Sequence, residues 1–179
     1  MNSIVRKTLY EMLTDRGYDR VEDDTYESVV AFNTTTEHRV LVYFVYDNKV
    51  SVKRMKSIKD VIDEGDNYTC LILVYKSAIT AFAKQFIVTD MKDLNVQIFS
   101  ESELSFNITK HELVPKHEIL SAEERNKTLR KYRTTLKHFP MILSSDPVAR
   151  YYGVLPGTMM RITRKSPTAG VYTLYRVVG

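Results

Sequence analysis

The sequence predicts an α+β protein in two parts: a three-layer α/β unit over residues 1–104, then a smaller mixed α/β unit over 105–179 that ends in a β-hairpin. Three observations predict it. Two runs, 40–46 and 70–75, are β-branched, aromatic or aliphatic throughout, as strands covered on both faces are. Segments of helical period lie between and after them, so strand and helix alternate. Finally, residues 158–164 and 171–178 are strand-like runs joined by Ser166-Pro167-Thr168-Ala169-Gly170, the composition of a hairpin turn.

In chain order, Ile4, Val5, Leu9, Met12 and Leu13 recur at helical spacing. Asn2 or Ser3 is placed to cap this helix, and Gly17 supplies a left-handed exit. Residues 22–37 are acid-rich and read as irregular, apart from a short strand or helical turn at 26–32. The run 39–47 is the first strand, closed by the turn residues Asp47-Asn48. Val52, Met55, Ile58, Val61 and Ile62 then form a helical stripe with Lys53, Lys56 and Lys59 opposite, ending near Gly65. Residues 70–75 are the second strand, 77–88 a helix and 95–100 the third strand, which makes a parallel or mixed sheet. Ligands of such sheets gather at the carboxyl ends of strands, here near 47–49 and 76–80. Neither place has a glycine-rich phosphate loop, so no nucleotide cofactor is expected.

The second part opens with a short alternating segment, 105–109, read as a linking strand. His111 and His117 follow without a cysteine, a third histidine or a well-placed aspartate, so hydrogen-bonded structural histidines are expected and no metal. Ser121-Ala122-Glu123-Glu124 is a capping box. Its helix runs to about Tyr132, with Leu129 and Tyr132 inward and Arg125, Lys127, Arg130, Lys131 and Arg133 on an exposed, solvated face. Residues 138–142 are a short extended piece packing against the terminal hairpin. Asp146-Pro147 starts a brief helix that Gly153 must end, and Pro156-Gly157 turns the chain again. In the hairpin Thr158, Met160, Ile162 and Arg164 share a face. The ribbon carries Arg161, Arg164, Lys165 and Arg176 with almost no carboxylates, which suits a docking surface better than a reaction centre.

With 44% hydrophobic and 27% charged residues, 179 residues suffice for a sizeable core. The longest apolar runs are too short to cross a bilayer, so no membrane association is expected. A single cysteine, Cys70, excludes an intrachain disulfide and favours a reducing compartment. Charge is uneven. Residues 1–100 carry 13 basic against 15 acidic side chains, and residues 101–179 carry 13 against 7. A basic second half fits an acidic partner surface.

Asp146-Pro147-Val148-Ala149-Arg150-Tyr151-Tyr152-Gly153, residues 157–162 and 164–170, and Tyr172 to Arg176 together resemble one family, at unbroken spacing. It is the RNA polymerase subunit shared by the three eukaryotic nuclear enzymes, whose C-terminal half resembles a smaller archaeal counterpart. His111-Glu112-Leu113-Val114-Pro115-Lys116-His117 is similar to the signature that opens its assembly domain, and Val5 to Leu9 with Asp15 to Tyr18 to its first helix. The archaeal counterpart lacks that helix's domain, so the chain looks like the two-domain eukaryotic type. Thr80-Ala81-Phe82-Ala83-Lys84-Gln85 resembles a Thr-Pro-Ser-Ala-Lys-Gln motif at the tip of the family's jaw domain, with Ala81 and Phe82 in place of Pro and Ser. Pro167 stands where the family usually places an acid, and the segment before residue 39 is shorter than in cellular members.

The resemblance implies a noncatalytic polymerase subunit in transcription, without cofactors. It implies a C-terminal assembly domain bound to the largest subunit among other polymerase subunits. It also implies an N-terminal jaw domain near downstream double-stranded DNA, held weakly and without regard to sequence. Thr80, Ala81 and Lys84 are the DNA-proximal residues expected, and Arg150, Tyr151, Tyr152, Arg164, Ser166, Thr168 and Tyr172 the assembly surface. The three tyrosines serve equally well as core. The implied location is the nucleus for a cellular protein, or a virion or cytoplasmic viral factory for one encoded by a large DNA virus.

The alternative is a metal-dependent endonuclease, because the family's jaw is nuclease-like in fold. Asp47-Asn48-Lys49 has the acid-x-Lys spacing such a site uses, but it needs a converging second acid. Asp23, Asp24 and Glu27 lie in a segment expected to be irregular.

Overall fold

The computed structural model describes residues 3–23, 25–65, 67–166 and 170–179. The chain divides into two compact units, Met1–Phe106 and Asn107–Gly179.

The first unit is built on a five-stranded sheet ordered β1-β2-β3-β4-β5: β1 (Arg20–Asp23), β2 (Ser28–Phe32), β3 (Arg39–Val45), β4 (Cys70–Tyr75) and β5 (Asn95–Ser100). The first three are antiparallel neighbours, whereas β3, β4 and β5 run parallel, joined by α2 (Val52–Glu64) and α3 (Ala81–Asp90). Leu41, Val45, Leu71 and Leu73 pack against Met55 and Ile58 of α2 and Ala83 and Ile87 of α3. Because side chains alternate along a strand, Val40, Val42, Phe44, Ile72 and Val74 turn to the other face, where they are equally buried. The apolar stripe of α1 (Ser3–Asp15) covers that face. The Arg6 guanidinium lies 5.4 Å from the Phe44 ring centre, and Arg16 donates to Gln97 on β5 at 2.9 Å. Helix, sheet and helix pair make the three expected layers. Gly17 has the positive φ of +89° that ends α1.

Three expectations are corrected here. The first residues of the acid-rich stretch are not irregular but belong to β1, while of the two readings offered for 26–32 the strand is the one found, as β2, with reciprocal Thr25–Ser28 backbone hydrogen bonds before it. A charged edge strand such as Arg20-Val21-Glu22-Asp23 resists pairing with other chains, but it carries no apolar alternation to read. Next, α3 begins at Ala81 and not at residue 77, because Val50 and Ile79 form a bridge that keeps the preceding residues extended. Last, residues 105–109 form no strand. Asn107 caps a single 3-10 turn, Ile108–Lys110, accepting from the Thr109 amide at 3.0 Å.

The second unit holds a four-stranded sheet ordered β6-β8-β9-β7: β6 (Lys116–Ile119), β7 (Met141–Ile142), β8 (Met159–Ser166) and β9 (Gly170–Val178). The ribbon β8–β9 is the expected hairpin, and β7 is the expected extended piece, paired parallel to β9. The short, charged β6 has no sequence signature. One sheet face buries Met159 and Val177 with Leu120, Leu136, Phe139 and Tyr175, beside α4 (Ala122–Tyr132). The other buries Met160 and Val178 with Ile142, Tyr152 and Val154, beside α5 (Pro147–Tyr152). The Ser121/Glu124 capping box is present on α4, and Asp146 and a left-handed Gly153 bound α5 as expected. Two residues of α4 depart from expectation. Arg125 is half-buried, and Tyr132 is 49% exposed although its ring edge meets Phe139 and Tyr175.

Candidate functional site

At the carboxyl end of β3 and β4 the loops before α2 and α3 are stitched together. Val50 donates to the Ala78 carbonyl at 2.8 Å, and the Thr80 amide donates to the Val50 carbonyl at 3.1 Å. The Thr80 hydroxyl gives its only proton to the Val50 carbonyl at 3.1 Å and accepts from the Ala83 amide at 3.2 Å. It is the helix cap, and its donor is already committed. Of the three residues expected near DNA, Lys84 therefore carries the available charge. Ala81 and Lys84 are both exposed, and Phe82 beside them is 75% exposed.

The same end of the sheet tests the endonuclease alternative. Glu27 is firmly positioned: its Oε2 accepts from the Tyr43 hydroxyl at 2.9 Å and from the Arg54 guanidinium at 2.5 Å. Asp47 approaches that same guanidinium at 3.8 Å, and Arg54 also lies 5.4 Å from the Tyr43 ring centre. Burial first, and the Glu27 hydrogen bond second, push the Tyr43 phenol above its ordinary value. Two carboxylates do converge, but on an arginine that fills the place a cation would need. Asp24 lies outside the described residues, among which no three ligating side chains cluster. Cys70 is inert by the same reasoning, its buried thiol pushed up to about 11.

In the second unit the pairing register decides which expected residues meet. Arg164 pairs with Tyr172, Ser166 with Gly170, Ile162 with Leu174 and Met160 with Arg176. Directly paired residues point to the same side, so Arg164, Ser166 and Tyr172 share the face on which Tyr152 packs over Met160 and Val178. Arg164 is exposed, while Tyr172, Tyr152, Ser166 and Arg150 are half-buried. Tyr151 is different. It is 3% exposed, its hydroxyl accepts from the Asn107 carboxamide at 3.0 Å, and its ring meets Tyr152 edge-on at 5.3 Å. That is a core residue that positions Tyr152, and of its two expected roles the structure gives it the buried one. Thr168 lies outside the described residues.

Both histidines have local partners: His111 Nδ1 accepts from the Leu113 amide at 3.2 Å, and His117 Nδ1 meets the Pro115 carbonyl at 2.7 Å. The sequence hid one network on the opposite sheet face. Arg161 donates to Glu118 at 2.9 Å and to Glu124 at 3.5 Å, and Lys116 lies 2.7 Å from Glu118. Hydrogen bonds from Lys116 and then Arg161 hold the Glu118 carboxyl below its usual range. The only cue was the capping box, which located Glu124 without its second partner.

Known proteins resemble both units. A family model described as RNA polymerase Rpb5, C-terminal domain, matches residues 106–178. Over 97% of its length the chain is 33% identical to DNA-directed RNA polymerases I, II, and III subunit RPABC1 of Caenorhabditis elegans, covering 93% of that protein. The protein of the same name in Dictyostelium discoideum is 35% identical over 97% of this chain and 94% of its own. DNA-directed RNA polymerases IV and V subunit 5B of Arabidopsis thaliana is 31% identical, over 98% of this chain and 88% of its own.

Proposed function

The chain belongs to the Rpb5 family of RNA polymerase subunits, and from that premise we propose that the largest subunit of a multisubunit DNA-dependent RNA polymerase holds its second unit, while its first lies in the lower jaw near downstream double-stranded DNA. It is a noncatalytic subunit acting in transcription, assembled with other polymerase subunits. The observation that carries the reading is the reach of the likeness, which covers 97% of the chain and so takes in both units.

For assembly, the supporting geometry is the sheet face shared by Arg164, Ser166, Tyr172 and Tyr152, with Arg150 on the helix beside it. Arginine and tyrosine suit the centre of a buried interface because they join large area to directed hydrogen bonds. For DNA, the supporting feature is exposed Lys84 at the start of α3, a point charge for phosphate. The workplace is the nucleus if the chain is cellular, or the virion or cytoplasmic factory if a virus encodes it.

Arg164→Glu is expected to reduce incorporation into the native polymerase at least about tenfold, measured by quantitative mass spectrometry of the purified complex, while the free chain keeps its circular dichroism. Undiminished incorporation would remove this face from the interface.

A further inference from the structure

The outer side of α4 reads from its charges alone as a solvated surface, and its surroundings argue otherwise. Residues 125–145 contain six Lys or Arg and not one Asp or Glu. Of these, Lys127, Arg130, Lys131, Arg133 and Lys137 are all exposed. None makes an ion pair among the described residues, because the neighbouring carboxylates are engaged elsewhere: Glu118 and Glu124 are both held by Arg161. Glu123, one turn before Lys127 on the same side of the helix, is exposed and makes no ion pair with it among the described residues.

The helix dipole accounts for cations at Arg130 and Lys131 in the last turn, but not for Lys127 in the middle or Lys137 beyond the end. Lys127, Arg130 and Lys131 stand at i, i+3 and i+4, which sets them on one side of the helix about 5–6 Å apart. That step is close to the spacing of successive phosphates along a strand, at a site held by a rigid helix. Lys131 is steadied further, its ammonium 5.7 Å from the Tyr132 ring centre.

We propose that this face of α4 binds the phosphate backbone of duplex DNA, without reading sequence, as a second contact beyond the first unit. An acidic protein is the competing partner. Protein interfaces, however, have an apolar centre with charges depleted, and on α4 itself Tyr132 is the one large apolar residue exposed, while exposed Met141 and Leu143 lie outside the helix, on and just after β7. An array of cations without an apolar centre fits a polyanion whose binding is driven by released counterions.

The test uses the full chain and a fluorescein-labelled 30-base-pair duplex, titrated by anisotropy between about 20 and 200 mM salt. The triple variant K127E/R130E/K131E is expected to lower affinity at least about tenfold and to reduce the slope of log K against log salt by about 3, whereas Lys84→Glu reduces it by about 1. All four positions are exposed, so the fold is retained and circular dichroism checks it. A triple variant with unchanged affinity and slope would overturn the proposal, as would a wild-type chain that fails to bind duplex at the lowest salt. If poly-L-glutamate binds the wild type more tightly than duplex does, and the triple variant loses that binding, the face serves an acidic protein instead. Incorporation of the Arg164→Glu chain is measured separately, so failure here leaves the assembly reading standing.

Discussion

The two units use the same residue types in opposite directions. In the first, arginines are turned inward: Arg54 binds Glu27 and Asp47, Arg16 reaches Gln97, Arg39 lies over Phe32, and Arg6 over Phe44 and Tyr26. Its sheet is buried on both faces, with a single cluster of ten buried residues on the α2–α3 side alone. In the second unit the cluster on each sheet face has three buried residues, and Lys127, Arg130 and Lys131 of α4 are exposed and make no ion pair among the described residues. A unit of 73 residues has little core to draw on, so its stability is set more by caps, rings and ion pairs. The result is a division of labour: the first unit spends most of its arginines on its own fold, and the second leaves charge and aromatic surface for something else to cover.

The largest effect is expected from hollowing each core. Leu73→Ala, in the centre of β4, is expected to destabilise the first unit by about 4 kcal/mol. Met160→Ala, in the thinner cluster, should cost the second about 2 kcal/mol, because a shallow site collapses more readily onto the gap. Amide hydrogen exchange resolves the two. Leu73→Ala should accelerate exchange in β3 and β4 while leaving β8 and β9 unchanged. Equal acceleration in both sheets would show that the first unit does not stand alone.

A smaller effect separates structure from contact at Thr80. Losing the hydroxyl removes the cap of α3, and Thr80→Ala is expected to lower first-unit stability by about 1 kcal/mol in urea titration. Thr80→Ser should restore it, since a serine hydroxyl makes the same two bonds. If Thr80→Ala instead leaves stability intact and weakens duplex binding, the hydroxyl is a DNA contact after all.

How much of this was legible follows from what each residue does. The strands β4 and β5 are readable to the residue, because an apolar run of six is the length of a buried strand and too short for a helix, and Asn95 to Ser100 follows a full helix. The caps at Ser121, Asp146 and Gly153 were equally plain, being local chemistry. By contrast, β1 and β6 were invisible: each is four residues long, charged, and held by a neighbour distant in sequence. The candidate surfaces divide the same way. Alternation put Arg164 with Met160 and Ile162, but whether Tyr151 or Tyr152 faced inward depended on Asn107, 44 residues away. The inward use of Arg54 is likewise beyond reach, because nothing in the sequence around Glu27 shows what holds it.

The gentlest test of the contrast is pH. Glu118 in the second unit is held below its ordinary value of 4.5 by Lys116 and then Arg161, and Asp19 in the first is held below 3.8 chiefly by the Thr34 hydroxyl and amide. A carboxyl lowered in the folded state binds its proton more readily when unfolded. Its stabilising contribution is therefore complete above the unfolded value and is lost as pH falls through the folded one. Asp19 is exposed and Glu118 only half-buried, so screening keeps each effect small. Glu118→Gln is expected to flatten the acid dependence of exchange in β6 and β8 below pH 4.5, and Asp19→Asn to do the same near β1 and β2 below pH 3.8, each sparing the other sheet. The second unit should then begin to loosen at the higher pH, because its ion pairs span β6, β8 and α4 where little apolar packing does. Should Glu118→Gln leave the acid limb of β8 exchange unaltered, the Arg161 network is an ornament of the surface, and that thin core carries the sheet by itself.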